Sequence, residues 1–293
     1  MAIRRHNLTG IPWYGHNRDQ ILKTLEWSFT HDKGPNKLPG DLSLEKKMSK
    51  LLGIVSPHAG YSCSGPHASH GYLEISAHDD IESVIILGTN HTGMGSPTSL
   101  FPKGEWETPL GNLEIDEDLH DNFTQQVSEL KTNIGFSVET SAHIEEHSID
   151  NQLPFLLYSI KKDFKILPIT MGDHSLKTCL AIADIIARIK SLKQDKLVIV
   201  ASSDFTHYLS PMEAERKDRQ VIKYLLDFDL ETAVKTQKNL QASICGFGPI
   251  VTLFATGQKL NMTKSELLIY GHSGETCGNR SNVVAYSSII IGS

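Results

Sequence analysis

The chain has 293 residues, of which 39% are hydrophobic and 21% are charged, a composition typical of a soluble globular protein. Its net charge of −6 argues against nucleic acid or an anionic membrane surface as a partner. No apolar run approaches the ~18 residues of a membrane-spanning helix. The N-terminus also lacks the apolar core of a secretory signal, so the sequence predicts a cytoplasmic protein that neither enters a membrane nor binds nucleic acid.

Helical periodicity and apolar runs alternate along the chain. Residues 7–16, which include Trp13 and Tyr14, predict an irregular aromatic arm. Helices are predicted at 21–29, 66–78, 149–160, 176–192 and 212–228, with a further one capped by Asp116. A last helix is predicted to open within residues 243–249 and to run through residue 254. Strands are predicted at 51–57, 83–90, 165–169, 197–201, 267–270 and 282–291. Within the third of these, Pro168 favours an edge position or a bulge. The alternation predicts α/β architecture: a single three-layer α/β/α domain over residues 1–293, with a mostly parallel central mixed sheet.

The four cysteines are far apart in sequence and form no CxxC motif. They are Cys63, Cys179, Cys245 and Cys277. In a chain of this length the spacing predicts free thiols in a reducing compartment and no disulfide framework.

Three of the predicted strands are each followed closely by a histidine. His58 follows the strand at 51–57, His91 follows the strand at 83–90, and His207 lies beyond the strand at 197–201. Unbroken apolar runs are typical of central parallel strands, whose carboxyl ends share one edge of the sheet. Because ligand sites of α/β sheets lie outside this edge, we expect the three imidazoles to converge there.

These residue types suit a metal or an acid–base centre. His58 and His91 are candidate metal ligands, although a single histidine is more often a hydrogen-bonded structural residue. Cys245 precedes a predicted helix start, where a thiol ionises more readily and suits a ligand or a nucleophile, whereas most free cysteines are buried apolar residues. Asp204 and His207 are candidates for a carboxylate that orients an imidazole. Alternatively, Asp204 caps a turn and His207 is a polar loop residue.

Further candidates are placed around the same predicted pocket. Glu146 and His147 lie near a helix start, where acidic residues also simply favour the helix dipole. Cys63 is close in sequence to His58, and Asn90 directly precedes His91. We expect these residues, with Trp13 and Tyr14, to line or support the pocket.

Five motifs together resemble the Memo family, whose microbial members are called AmmeMemoRadiSam system protein B. They are PHAGY at 57–61, LGTNH at 87–91, EHSI at 146–149, SSDFTH at 202–207 and ICG at 244–246. The resemblance covers almost the whole chain and includes Trp13 and Tyr14. It implies the fold of the class III extradiol ring-cleaving (LigB-like) dioxygenases, which use non-haem Fe(II).

The same resemblance implies a metal centre of His58, His91 and Cys245, with Fe(II) as the first choice and copper or zinc as alternatives. Asp204 would be a pocket residue, and His207 would stand at the place of the dioxygenase acid–base histidine. Eukaryotic members are described as phosphotyrosine-peptide effectors and as copper- or iron-handling redox proteins. The microbial name implies partner proteins of a radical-SAM system.

One departure from the dioxygenases affects the functional hypotheses. Cys245 stands where their 2-His-1-carboxylate triad has a carboxylate, and a thiolate shifts metal preference toward softer ions. The first hypothesis is a metal-dependent, dioxygenase-like oxidoreductase acting on a small substrate. The second is a catalytically silent binding or metal-handling module, with a phosphopeptide or protein in the same cleft. The third is a thiol hydrolase built on Cys245, His207 and Asp204, which leaves His58 and His91 unexplained.

Overall fold

The computed structural model of the protein describes residues 2–4, 13–15 and 17–293. Its helices are α1 (Arg18–Thr30), α2 (Tyr61–Ser76), α3 (Glu117–Glu129), α4 (Ser141–Ile144), α5 (His147–Asp150), α6 (Leu153–Ser159), α7 (Leu176–Lys193), α8 (Pro211–Leu226), α9 (Leu230–Leu240) and α10 (Phe247–Lys259). Its strands are β1 (Ala2–Arg4), β2 (Leu51–Ser56), β3 (Ser83–Thr89), β4 (Thr98–Leu100), β5 (Gly104–Trp106), β6 (Leu113–Glu114), β7 (Phe136–Val138), β8 (Lys165–Met171), β9 (Leu197–Ser202), β10 (His207–Leu209), β11 (Lys264–His272) and β12 (Val283–Gly292). Most of the predicted aromatic arm, residues 7–12 and 16, lies outside the described residues.

One large mixed sheet forms the centre of the protein. Its strand order is β10-β12-β2-β9-β3-β8-β4-β7, with β11 also paired to β12. The four central strands, β2, β9, β3 and β8, are parallel to one another, whereas β12 and β4 join them in antiparallel pairs. A small sheet, β1-β5-β6, lies apart from it. The predicted α/β fold class is confirmed.

Apolar side chains cover both faces of the large sheet. Along β3, Ile85 and Leu87 belong to one apolar cluster, whereas Val84 and Ile86 belong to the other. The first cluster includes buried residues of α3, α7, α8 and α10, and the second includes those of α1, α2 and α6. Burial on both faces explains why the central strands are continuous apolar runs in the sequence. No helix in the described part of the chain has the length and apolarity to cross a membrane.

Several local predictions are confirmed in detail. The strands predicted before His58, before His91 and at 197–201 are β2, β3 and β9. The Asp116 side chain accepts a 3.0 Å hydrogen bond from the backbone N–H of Leu119 and caps α3. The helix predicted at 149–160 is divided into α5 and α6, because Pro154 lies in the first turn of α6, where no intrahelical N–H is needed.

The prediction that Pro168 marks an edge or a bulge is wrong, because β8 lies between β3 and β4. The ladder between β4 and β8 pairs residues 98–100 with residues 169–171 and ends there. Beyond it the Pro168 carbonyl accepts a 3.1 Å hydrogen bond from the N–H of Phe101. An interior strand therefore tolerates proline here, because the neighbouring ladder has already ended.

The prediction of free thiols is wrong for two of the four cysteines. Cys63, in the first turn of α2, forms a disulfide with Cys277, and their Cα atoms are 4.9 Å apart. The Thr276 hydroxyl donates a 2.6 Å hydrogen bond to the Cys63 carbonyl, so the two segments meet independently of the sulfur bond. Cys179 and Cys245 are free.

Candidate metal site

The predicted site residues lie at the carboxyl edge of adjacent parallel strands. His58 follows β2, His91 follows β3, and Asp204 follows β9, which pairs with both of those strands. Cys245 comes from the segment before α10. At its neighbour Gly246, a Cβ atom would lie only 2.2 Å from the Ser202 carbonyl oxygen, so glycine is required for this close approach.

His58 is held on every side by hydrogen bonds. Its backbone N–H donates to Oδ1 of Asp204 at 2.8 Å, and its carbonyl accepts from Asn151 Nδ2 at 2.6 Å. Its ring Nδ1 lies 2.8 Å from the Ser202 hydroxyl, and its Nε2 lies 3.2 Å from Cys245 Sγ. Burial, and then the neighbouring His147 and His91, lower the pKa of His58 well below its usual range. The ring is therefore neutral near pH 7.

His91 is oriented by the carboxylate of Glu146. Oε2 of Glu146 accepts the backbone N–H of His91 at 2.6 Å, and Oε1 lies 2.9 Å from its ring Nδ1. Burial raises the pKa of Glu146, but hydrogen bonds from His91 and Ser148 outweigh that effect and leave the pKa below its ordinary value. Because the ionised carboxylate only accepts, Nδ1 of His91 donates this hydrogen bond.

His147 lies between the other imidazoles and an indole. It stacks on His91 with ring centroids 4.6 Å apart and on Trp13 at 4.4 Å, and it meets His58 edge-on at 5.3 Å. Burial lowers the pKa of His147 to about 4. It is thus a third imidazole in the cluster and is neutral near pH 7, a closer role than the supporting one predicted for it.

The expectation that Cys245 ionises readily is wrong for the site as it stands. Burial, followed by the nearby Asp204 carboxyl, raises the pKa of the thiol. Gly246 and not Cys245 caps α10, so the helix start does not outweigh burial. The sulfur accepts a 3.2 Å hydrogen bond from the Asp204 N–H and contacts His58 Nε2.

Asp204 and His207 lie on the same segment but do not form the predicted carboxylate–imidazole hydrogen bond. Oδ1 of Asp204 accepts from the N–H groups of His58 and Ala59, and burial raises the pKa of its carboxyl. Nδ1 of His207 lies 2.9 Å from the Ser243 carbonyl oxygen instead. Since a carbonyl only accepts, Nδ1 of His207 donates this hydrogen bond.

The other predicted pocket residues have more distant roles. Trp13 contacts the site through its stack on His147, whereas Tyr14 donates a 2.9 Å hydrogen bond to Asp150 at the end of α5. Asn90 shapes the following loop by accepting from Gly93 and donating to the Met94 carbonyl. Cys63 lies in the disulfide and offers no free thiol.

Two groups of side chains place potential ligand atoms within 4.8 Å of one another among the described residues. One is His58, His91 and His147, and the other is His58, Asp204 and Cys245. His58 belongs to both groups, whereas His91 and Cys245 join it in different ones. The predicted ligands therefore meet around His58, with His147 and Asp204 as additional donors.

Sequence reasoning missed the residues that hold this cluster in place. Asn151 binds the His58 carbonyl, Ser202 binds its ring, and Ser243 orients His207. The sequence offered one signal for these supporting residues, namely the polar residues at the buried end of β9 and just after the EHSI motif. Their partners are 36 to 144 residues away in sequence, so the pairing depends on the fold.

Fold and site define a class: an α/β protein with histidines and a cysteine gathered at the carboxyl edge of its sheet. A family model described as "Memo-like protein" matches residues 4–290. A "MEMO1 family protein" of Desulfurococcus amylolyticus is 38% identical over 277 residues, covering 94% of this chain and 95% of that relative. One from Sulfurisphaera tokodaii is 38% identical over 281 residues, covering 96% of each chain.

The chain belongs to the Memo family. A solved structure of an uncharacterized protein from Escherichia coli K12 is also similar, with a TM-score of 0.53. The similarity covers 81% of this chain and 99% of that one at 10% sequence identity, and it shows a shared fold.

Proposed function

We propose that this Memo family protein binds one transition-metal ion through His58, His91 and Cys245 and acts as a metal-dependent oxidoreductase on a small substrate. The observation that carries the proposal is the position of His58, whose Nε2 lies 3.2 Å from Cys245 Sγ and whose ring centroid is 5.1 Å from that of His91. Two imidazoles and a thiol form a donor set suited to Fe(II), copper or zinc.

The hydrogen bonds behind these side chains support this proposal. Glu146 receives Nδ1–H of His91 and leaves Nε2 available, the arrangement in which carboxylates orient metal-ligating histidines. The thiol of Cys245 would lose its proton on binding, since metals coordinate the thiolate. The raised thiol pKa therefore makes binding weaken as the pH falls.

Fe(II), when bound, would supply redox chemistry. The chain's own groups would handle the protons. His207, held at Nδ1 by the Ser243 carbonyl, presents Nε2 as the atom that accepts a proton from a substrate hydroxyl. Asp204 keeps the His58 loop in place through two backbone N–H groups.

A metal-handling role is the second candidate, and the sulfur of Cys245 favours it. Thiolate in place of a carboxylate suits Cu(I) or zinc better than oxygen chemistry on Fe(II). A peptide or a radical-SAM system protein could then be the recipient or partner at the same edge of the sheet. The thiol hydrolase is the weakest candidate, because Cys245 contacts His58 and its thiol pKa is raised, whereas His207 pairs with Ser243.

The test is metal analysis of untagged protein purified without oxygen, followed by titration with Fe(II), Zn(II) and Cu(I). We expect one ion per chain, lost in Cys245→Ala and His58→Ala but retained in His147→Ala. Loss in His147→Ala with retention in Cys245→Ala would assign the ion to the three histidines instead. Oxygen uptake with catechols then separates the two roles: uptake abolished in His207→Ala supports the oxidoreductase, and binding without turnover supports metal handling.

A further inference from the structure

The buried hydroxyl of Ser202, at the end of β9, contacts three different groups. It lies 2.6 Å from the Ser148 carbonyl oxygen, 2.8 Å from Gln152 Nε2 and 2.8 Å from His58 Nδ1. Ser202 and Gln152 are fully buried, so water does not complete their hydrogen bonds from outside. Neither residue belongs to the groups of potential metal ligands.

The direction of each of these hydrogen bonds can be assigned from the chemistry of the partners. The Gln152 amide nitrogen faces the Pro57 carbonyl at 3.0 Å, which only accepts, so Nε2 is the donor on that side. Its other N–H therefore points at the Ser202 oxygen. The Tyr72 hydroxyl donates to Oε1 and fixes the same amide orientation from behind.

The hydroxyl of Ser202 has one proton and two lone pairs. The Ser148 carbonyl can only accept, so it takes that proton. The Gln152 N–H uses one lone pair of the Ser202 oxygen. The remaining lone pair faces His58 Nδ1, which must then be the donor.

We propose that Ser202 is a positioning residue that fixes His58 in its Nδ1–H tautomer and keeps the Nε2 lone pair facing Cys245. Ser148 and Gln152 set the direction of the Ser202 hydroxyl, and Tyr72 sets that of Gln152. The other tautomer would place a proton on Nε2, between the ring and the sulfur. The consequence for metal binding rests on the proposed function, whereas the tautomer itself does not.

The first test is the tautomer of His58 in the metal-free protein, read from imidazole ¹⁵N and ¹H shifts in long-range correlation spectra. We expect Nδ1–H in the wild type, a shift toward Nε2–H in Ser202→Ala, and Nδ1–H in Ser202→Thr, which restores the hydroxyl. Ser203→Ala is the matched control. It removes the adjacent hydroxyl, which bonds to Gly246 and to the Asp204 carbonyl but not to His58.

Gln152→Leu removes one donor to the Ser202 oxygen and leaves Ser202 in place. The Ser148 carbonyl still takes the Ser202 proton, so we expect His58 to keep Nδ1–H in this variant. Nε2–H in the wild type, or unchanged Nδ1–H in Ser202→Ala, would overturn the proposal.

Zn(II) titration of the same proteins tests the consequence. Removing a group that orients a metal-ligating histidine lowers affinity about 10- to 100-fold, so Ser202→Ala should lie in that range and Ser202→Thr near the wild type. Unchanged Zn(II) affinity in a Ser202→Ala protein with a shifted tautomer would refute the link to metal binding. Failure of the wild type to bind any of the three metals refutes the proposed function, while the tautomer assignment is decided by the spectra alone.

Discussion

Replacing Glu146 by glutamine should weaken both the fold and the metal site. The buried carboxylate accepts from the N–H and Nδ1 of His91 and from the N–H of Ser148, at 2.6, 2.9 and 2.9 Å. An amide keeps one acceptor oxygen and turns a donor toward one of these donors. Each hydrogen bond to a charged group contributes about 1.5–3 kcal/mol, so we expect the free energy of unfolding to fall by about 2–3 kcal/mol near pH 7.

The pH dependence of this difference has a definite sign. The pKa of Glu146 is lowered in the folded protein, so its contribution is present above the ordinary glutamate pKa and is lost as the pH falls through the folded value. The gap between wild type and Glu146→Gln should therefore shrink below about pH 4.3. Zn(II) affinity at pH 7 should fall about 10- to 100-fold, because His91 loses its orienting carboxylate.

Urea denaturation and Zn(II) titration measure these two effects. Glu145→Gln is the matched control, because Glu145 is the exposed neighbouring glutamate. Equal metal affinity in Glu146→Gln and wild type would refute the reasoning, as would a stability gap that stays constant down to pH 3. A loss as large in Glu145→Gln would show that local charge, and not the bond to His91, is responsible.

Three further predictions concern the disulfide, the buried carboxyl of Asp218 and the thiol of Cys245. Cys277→Ser opens the Cys63–Cys277 disulfide, which joins residues 214 positions apart. By the chain-entropy relation, the free energy of unfolding measured in urea should fall by up to roughly 5 kcal/mol. An unchanged denaturation midpoint would contradict this. Burial raises the pKa of Asp218 to about 6, so the free energy of unfolding should fall by about 2 kcal/mol between pH 4 and pH 7 from this group, and Asp218→Asn should flatten that slope; a slope identical to wild type would count against it. Native Cys245 should react with iodoacetamide far more slowly than in urea, as followed by mass spectrometry, since the residue is half-buried and the pKa of its thiol is raised; equal rates would contradict the raised pKa.

The sequence predicted the parts of the fold that depend on local pattern. β2, β3 and β9 were predictable because burial on both faces leaves an unbroken apolar run, and their parallel pairing followed from the alternation with helices. The convergence of His58 and His91 followed from the same geometry. The prediction for Pro168 was wrong because an interior strand tolerates proline where its neighbour has stopped pairing. Here that depends on where β4 ends, which the sequence around Pro168 does not show.

Side-chain partnerships were predictable only in part, because they depend on packing between distant segments. The Cys63–Cys277 bond needs α2 to meet the turn after β11. The raised pKa of Cys245 follows from burial, which outweighs its position near a helix start. The stack of His147 between Trp13 and His91, and the binding of His58 by Ser202, join segments that no spacing rule connects.

The proposed function depends on an ion that is held by imidazole nitrogen and by the sulfur of Cys245. X-ray absorption at the zinc or iron edge of the loaded protein tests this most directly. We expect nitrogen scatterers together with one sulfur, at about 2.3 Å for zinc, and loss of the sulfur shell in Cys245→Ala. A first shell of nitrogen and oxygen alone in the wild-type protein would contradict it.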